Sequence, residues 1–245
     1  MSGQIKFDRW LQAQASEKIY WDTLNVSELL RICAEKPPFL DLLGANELSE
    51  LFDRKDVLEI GCGPLGVALA SFYPFKYRIN HLHKIEPLPR LVIKETAAAS
   101  EEWASQFVSW VDILSNEGMY LQKPGEDIRF SNEYDTVITY NVLDHVHTPE
   151  KIIATAFEAL RSHGKILIGV DCLSVLGRLK FELLTRNTMK GTVLVEAHPH
   201  TFIPRHVLKL LNDTGFKNVH CVGAPSKLKQ FMGSHYRPAF IGTKP

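Results

Sequence analysis

Gly61-Cys62-Gly63-Pro64-Leu65-Gly66 is the first place in this 245-residue chain where residue types and spacing suggest chemistry. Glycines let a backbone turn tightly and approach a ligand closely. Taken literally the run is GxGxxG, a fingerprint of dinucleotide loops. Glu86 follows twenty residues after Gly66, where a carboxylate can accept both hydroxyls of a ribose. A second set is Asp144-His145 with Asp171 further on. A histidine with a nearby carboxylate makes a general base near neutral pH, the acid orienting the ring and stabilising its charged form. A third is Glu196-Ala197-His198-Pro199-His200, whose His198 and His200 are candidates to bind acceptor hydroxyls. The HxH spacing is not diagnostic of a metal, histidine is a poor magnesium ligand, and no metal is expected here.

These residues need elements to position them. Val57–Ile60 is a short apolar run that ends at Gly61 and reads as a buried strand. Further strands are expected at 79–86, 119–122, 136–139, 165–170, 219–222 and 239–242. Helices are expected at 67–71, 91–114, 149–161, with Pro149 in the first turn and Gly164 as the stop, and 204–214, closed by Gly215. Strands alternating with helices predict an α/β fold with a parallel sheet covered on both faces. Every candidate residue from 59 to 171 then lies at the carboxyl end of a strand or in the loop after it, where such sheets bind ligands. Residues 5 to about 52 read as helical, with breaks at Pro37-Pro38. The aromatic residues Trp10, Tyr20 and Trp21 suit a lid over the site.

Composition narrows the classes. Lys plus Arg and Asp plus Glu are each 28, for a formal charge of zero, with 45% apolar and 23% charged residues. This is globular composition, not that of a disordered chain. The absence of a basic excess argues against nucleic acid as partner. No run of about 18 apolar residues predicts a membrane span. Cys33, Cys62, Cys172 and Cys221 form no CxxC pair, and reduced thiols in a cytoplasmic protein are the expectation.

Two features separate a nicotinamide ligand from one without a pyrophosphate. Glu59 stands just before the glycines, where it would repel a pyrophosphate and attract a cation. Gly125-Glu126-Asp127 adds acids where an adenine edge could be read. A sulfonium with an amino-acid tail suits this acidic ring better than a dinucleotide.

Val57-Leu58-Glu59-Ile60-Gly61-Cys62-Gly63 resembles motif I of the class I S-adenosylmethionine-dependent methyltransferases. Glu86 matches the ribose-binding acid of that family. Gly125 to Phe130, followed by Tyr134-Asp135, resembles its adenine-side segment. Tyr140 to Val146 resembles the segment after the fourth strand, and Ala159 to Lys165 the helix-to-strand turn. The resemblance spans about residues 55 to 172. Two departures are Leu65 at the usual third glycine, with Gly66 after it, and His163 in place of the commoner Pro or Gly.

The resemblance implies a Rossmann-like, doubly wound, mostly parallel seven-stranded sheet, with residues 1–52 as a helical cap and 53–245 as the catalytic domain. It implies S-adenosylmethionine as cofactor, S-adenosylhomocysteine as product, and a small-molecule acceptor, a hydroxyl of a sugar or natural product. The cofactor would be held by Glu59, Gly61, Cys62, Gly63, Pro64, Glu86, Pro87, Gly125, Glu126, Asp127, Asn141 and Val142. His145 is expected as base, with Asp171 as its partner or as a substrate anchor and Asp144 beside it. His198, His200, Trp10, Tyr20, Trp21 and Arg237 are the expected acceptor-side residues. The alternatives are an NAD(P)-dependent oxidoreductase and a non-catalytic cofactor-binding protein.

Overall fold

The computed structural model describes residues 5–25, 28, 42–66, 77–91, 116, 118–185, 188, 190, 193–223, 231 and 235–245. The helices expected at 67–71 and 91–114, the Pro37-Pro38 break and Cys33 lie outside the described residues.

Seven strands form one sheet: β1 (Asp56–Ile60), β2 (His81–Glu86), β3 (Met119–Gln122), β4 (Tyr134–Tyr140), β5 (Leu160–Gly169), β7 (Lys217–Val222) and β9 (Ala239–Thr243). Their order is β3-β2-β1-β4-β5-β9-β7. All run parallel except β9, which pairs antiparallel with both β5 and β7. A separate two-stranded ribbon pairs β6 (Cys172–Leu173) with β8 (His235–Tyr236). The seven strands fall where the apolar runs placed them. In β1 the four residues Val57 to Ile60 are all buried, as a parallel strand covered on both faces requires.

From β1 the chain steps outward to β2 and β3, then returns to the other side of β1 as β4. The switch point therefore lies between the carboxyl ends of β1 and β4, where the glycine loop and Asn141 emerge.

Side chains alternate between two cores. Leu58 and Ile60 enter one, with Ile152, Ile153 and Ala156 of α3 (Pro149–Ala159) and Val207 and Leu211 of α6 (Pro204–Thr214). Val57 enters the other, with Leu48, Leu51 and Phe52 of α2 (Ala45–Phe52). α1 (Phe7–Thr23) is different: its only buried residue is Ala13. It lies at the ligand end of the sheet and touches α5 (Val193–Glu196). α4 (Val175–Lys180) begins at Ser174, whose Oγ accepts the Gly177 N–H. Among the described residues, no helix is long and apolar enough to cross a membrane.

One expected boundary is corrected. Gly164 does not stop α3, which ends at Ala159 with Leu160 already extended. The chain enters β5 at once, and its pairing with β4 jumps from Tyr134↔Leu160 to Thr136↔Lys165. His163 absorbs the bulge with φ 65. A Cβ on Gly164 would stand 2.9 Å from the Arg161 carbonyl, so close packing, not helix termination, calls for glycine there. Gly215 does close α6, at φ 110.

Candidate active site

The glycine loop is held from behind. The Gly61 and Cys62 N–H groups donate to the Ile85 carbonyl at 2.7 and 3.3 Å. Gly61, Gly63 and Gly66 all adopt positive φ (78, 76 and 68), so the third glycine is needed at 66, while Leu65 is free to enter the core. A Cβ on Gly61 would meet Val142 Cγ2 at 2.2 Å, so the loops after β1 and β4 touch here. Gly125 makes the same kind of approach, 2.5 Å from Ile60 Cγ2. Asn141 takes φ 53 and its N–H donates to the Gly169 carbonyl at 2.8 Å. The Pro64 carbonyl accepts the Leu91 N–H, and Pro87 follows β2 directly.

Two buried acids flank the crevice. Glu86 Oε2 accepts the Gly63 N–H at 3.0 Å and Oε1 accepts the Leu88 N–H at 3.0 Å. Each oxygen keeps a further lone pair for a ligand hydroxyl. Burial pushes the Glu86 carboxyl up to about 7, against the pull of those two N–H groups. Glu126 Oε1 accepts the N–H groups of His147 and Thr148, tying the 125–127 turn to the segment before α3. Asp127 is at the surface, 3.7 Å from Lys151. Glu59 is buried in register opposite Lys84, whose Nζ donates to the Gly66 carbonyl. Burial, with Glu59 and Glu86 nearby, raises the Cys62 thiol well above its usual value, so Cys62 is a neutral loop residue.

Beside Glu86 stands a cluster of three. His145 Nε2 and His198 Nε2 lie 3.6 and 3.7 Å from Asp144 Oδ2. The two imidazole centroids are 4.4 Å apart. The side chains of Asp144 and His145 are only 6% and 12% exposed. Asp144 Oδ1, both His145 ring nitrogens and His198 Nδ1 are buried without a hydrogen bond among the described residues. Burial works to strip the proton from His145, yet Asp144 and Glu17, with the nearby Ala197 carbonyl and Glu86, together outweigh it and hold its pKa above the ordinary imidazole value.

α1 completes this end. Glu17 Oε2 is 3.5 Å from His145 Nδ1, and the Gln14 amide donates to the His145 carbonyl. The Trp21 ring lies 3.6 Å from where a Cβ on Gly63 would stand, and its Nε1 donates to Glu17. Trp10 packs with Phe7 on the His147 ring, on the Glu126 side. Tyr20 is exposed and lies edge-on to Trp21, the ring centroids 5.8 Å apart. Arg9 donates to the carbonyls of Val195 and Glu196 and pairs with the Glu196 carboxylate, which fastens α1 to the segment carrying His198.

One expected pairing is corrected. Asp171 does not partner His145. Arg237 Nε donates to its Oδ1 at 2.7 Å and His235 Nε2 is 3.0 Å from its Oδ2. Burial would raise the Asp171 pKa, but its hydrogen-bonding partners His235 and Arg237 bring it below the usual value. The cause is the β6–β8 ribbon, which delivers residues 235–237 to the end of β5. The carboxylates near His145 are Asp144 and Glu17. His200, expected on the acceptor side, is engaged with backbone. It is buried, its Nε2 donates to the Val146 carbonyl at 2.9 Å and its N–H to the Asp144 carbonyl. His200 thus brackets the Asp144-His145 loop against the 197–202 segment. Glu17, Gln14 and Arg9 were missed by the sequence reading, since α1 carries no motif and little apolar periodicity.

Residues 33–221 match the family model described as a methyltransferase domain. The chain belongs to the methyltransferase-domain family. This methyltransferase-domain chain is 32% identical over 98 residues to an uncharacterized protein of Methanocaldococcus jannaschii. That match covers 39% of this chain and 44% of the relative, so the chain spans less than half the length of the curated relative it matches. Among solved structures it resembles a Thermotoga maritima S-adenosylmethionine-dependent methyltransferase described as a possible histamine N-methyltransferase. The identity is 19% and the TM-score 0.50, over 81% of this chain and 88% of the other. It also resembles Haemonchus contortus phosphoethanolamine N-methyltransferase 2 in complex with S-adenosyl-L-methionine, at 12% identity and TM-score 0.52, over 84% of this chain and 56% of that one. At these identities the likeness shows the shared fold, a mixed α/β architecture around a mostly parallel seven-stranded sheet.

Proposed function

We propose that this chain is an S-adenosylmethionine-dependent methyltransferase acting on a small molecule, with a hydroxyl of a sugar or natural product as the accepting group. Family membership favours methyl transfer over the nicotinamide alternative. The residues of the crevice suit the cofactor. Glu86 is buried at the end of β2 beside the glycine loop with lone pairs to spare, and positive-φ glycines bring bare backbone beside it. Glu86 would hold the ribose hydroxyls, the 61–66 loop the amino-acid portion, and the Glu126 side of the crevice the adenine. When bound, the cofactor supplies a methyl group already activated on a sulfonium, so the protein's work is alignment and proton removal.

The observation that carries the hydroxyl reading is the cluster Asp144–His145–His198 beside Glu86, in which Asp144 Oδ1, both His145 ring nitrogens and His198 Nδ1 are buried without a hydrogen bond among the described residues. Unsatisfied buried groups of this kind call for a partner. An alcohol is a poor nucleophile until its proton is drawn off, and the cluster is where the hydroxyl would lose it. An amine acceptor, as the names of both structural relatives indicate for those proteins, would need less of this. The Arg237–Asp171–His235 group would anchor the far side of the acceptor, and α1, through Trp21 and Glu17, would act as the lid.

The test is calorimetry of the full chain with S-adenosylhomocysteine and with NAD, followed by turnover on panels of hydroxyl and amine acceptors. Saturable binding of S-adenosylhomocysteine, with turnover confined to hydroxyl acceptors and lost in His145→Ala, supports the reading. Preference for NAD overturns it. Cofactor binding with turnover only on amines, or with none, overturns the hydroxyl assignment.

A further inference from the structure

We propose that Asp144, His145 and His198 bind a first-row divalent transition-metal ion that activates the acceptor hydroxyl. The inference rests on the methyl-transfer reading and adds a metal to the acceptor side of that site. One oxygen and one nitrogen from each imidazole converge, all within 4.8 Å of one another. The separations from Asp144 Oδ2 are 3.6 and 3.7 Å. A tetrahedral ion with bonds of about 2.1 Å has donors about 3.4 Å apart. A hydrogen-bonded triad would instead bring donor and acceptor to about 3 Å or less. The gaps are therefore too wide for hydrogen bonds and close to those that a shared cation spans.

The surroundings match a metal centre. His145 turns Nδ1 toward Glu17 at 3.5 Å, leaving Nε2 for the ion. A carboxylate behind a ligating imidazole raises its basicity, and at 3.5 Å Glu17 does so by its charge and not by a hydrogen bond. The two ligand-bearing segments are braced before any ion arrives, because His200 ties its Nε2 to Val146 and its N–H to the Asp144 carbonyl. Two imidazoles and one carboxylate suit zinc, cobalt, iron or manganese, whereas magnesium prefers an all-oxygen shell. Three protein ligands leave a position open, as reactive rather than structural sites do.

The acceptor hydroxyl takes the open position. Its O–H bond breaks and the proton passes to water. The oxygen lone pair then forms the bond to the methyl carbon as the carbon–sulfur bond breaks, its electron pair staying on sulfur. No oxidation or reduction is involved. In this form His145 is a ligand, not a base.

The test is titration of chelator-stripped full chain with cobalt(II), followed by visible absorption and by calorimetry. We expect one ion per chain with the intense d–d bands of a low-coordinate site. His198→Ala sits on the rim, 29% exposed, and should fold. It should lose the bands and weaken binding by more than about tenfold. Glu17→Gln should keep the bands and bind about tenfold more weakly. Binding that is unchanged in His198→Ala, or no stoichiometric binding by the wild-type chain, overturns the proposal. S-adenosylhomocysteine binding is measured separately on the stripped chain. Its retention without cobalt binding removes the metal and leaves methyl transfer standing. Cobalt binding without S-adenosylhomocysteine affinity removes methyl transfer and keeps the metal site.

Discussion

His145 Nδ1 and Glu17 Oε2 stand 3.5 Å apart, although one belongs to the loop after β4 and the other to the N-terminal helix. The contact makes α1 part of the site's electrostatics, not only its cover. Asp144 approaches the same ring from the opposite nitrogen, and Glu86 also acts on it. Three carboxylates thus converge on one imidazole. Such a field favours positive charge at the centre, whether an imidazolium, a bound cation or the sulfonium of the proposed cofactor.

Glu86 should make cofactor affinity pH-dependent. Its carboxyl is raised from 4.5 to about 7 by burial. Ribose hydroxyls favour the ionised acid, so binding releases its proton, and affinity for S-adenosylhomocysteine should rise as pH passes from 6 to 8. Folding moves the other way. Between 4.5 and about 7 the unfolded chain has lost a proton that folded Glu86 keeps. Stability of the free protein therefore falls as pH rises through that window, by on the order of 3 kcal/mol. Glu86→Gln should flatten both trends. Calorimetry at several pH values and urea melts at pH 5 and 8 measure them.

Glu17→Gln should separate binding from turnover. Glu17 helps to raise the Glu86 pKa. Its neutralisation should move the rise in cofactor affinity to lower pH, so binding at neutral pH holds or improves. The same change removes the acid behind His145, and kcat should drop roughly tenfold. A parallel loss of both would mean that Glu17 merely supports the fold.

Gly61 is fixed by a neighbour as well as by its own backbone. Gly61→Ala places a Cβ 2.2 Å from Val142 Cγ2 at a φ of 78. The backbone strain alone costs about 1 kcal/mol or more. Cofactor affinity should fall at least about tenfold, because the loops after β1 and β4 must part. Adding Val142→Ala removes the collision but not the strain, so the double variant should recover part of the affinity. A double-mutant cycle on Tm and on calorimetric Kd reads the coupling.

The fold and the loops at its strand ends were legible because their signals are local. Apolar runs mark all seven strands of the main sheet, glycines and acids sit at strand ends, and Pro149 and Gly215 punctuate their helices. The surroundings of His145 were less so. Asp171 looked like the partner of His145 from the adjacency of strand ends alone. Its true companions, His235 and Arg237, arrive on and just after a two-residue strand far along the chain, too short to leave a period. His198 and His200 are identical in type, yet one faces Asp144 and the other braces a backbone, and only tertiary geometry tells them apart. Glu17 left no trace, since α1 buries just Ala13 and has no periodic apolar stripe to orient it.

That thin burial leaves α1 attached chiefly through polar contacts, with Arg9 at their centre. Its guanidinium reaches the Val195 carbonyl at 2.8 Å, the Glu196 carbonyl at 2.7 Å and the Glu196 carboxylate at 3.3 Å. Charge-assisted bonds to two carbonyls outweigh an exposed ion pair. Arg9→Ala should therefore loosen the helix without unfolding the sheet, shifting Tm by no more than a few degrees. Glu17 and Trp21 would then spend less time over His145 and Gly63. Cofactor release should quicken, KM for the acceptor should rise, and amide exchange should accelerate in residues 7–23 while β1, β4 and β5 keep their protection. Exchange that quickens equally in the sheet would show that α1 is a structural strut and not a lid.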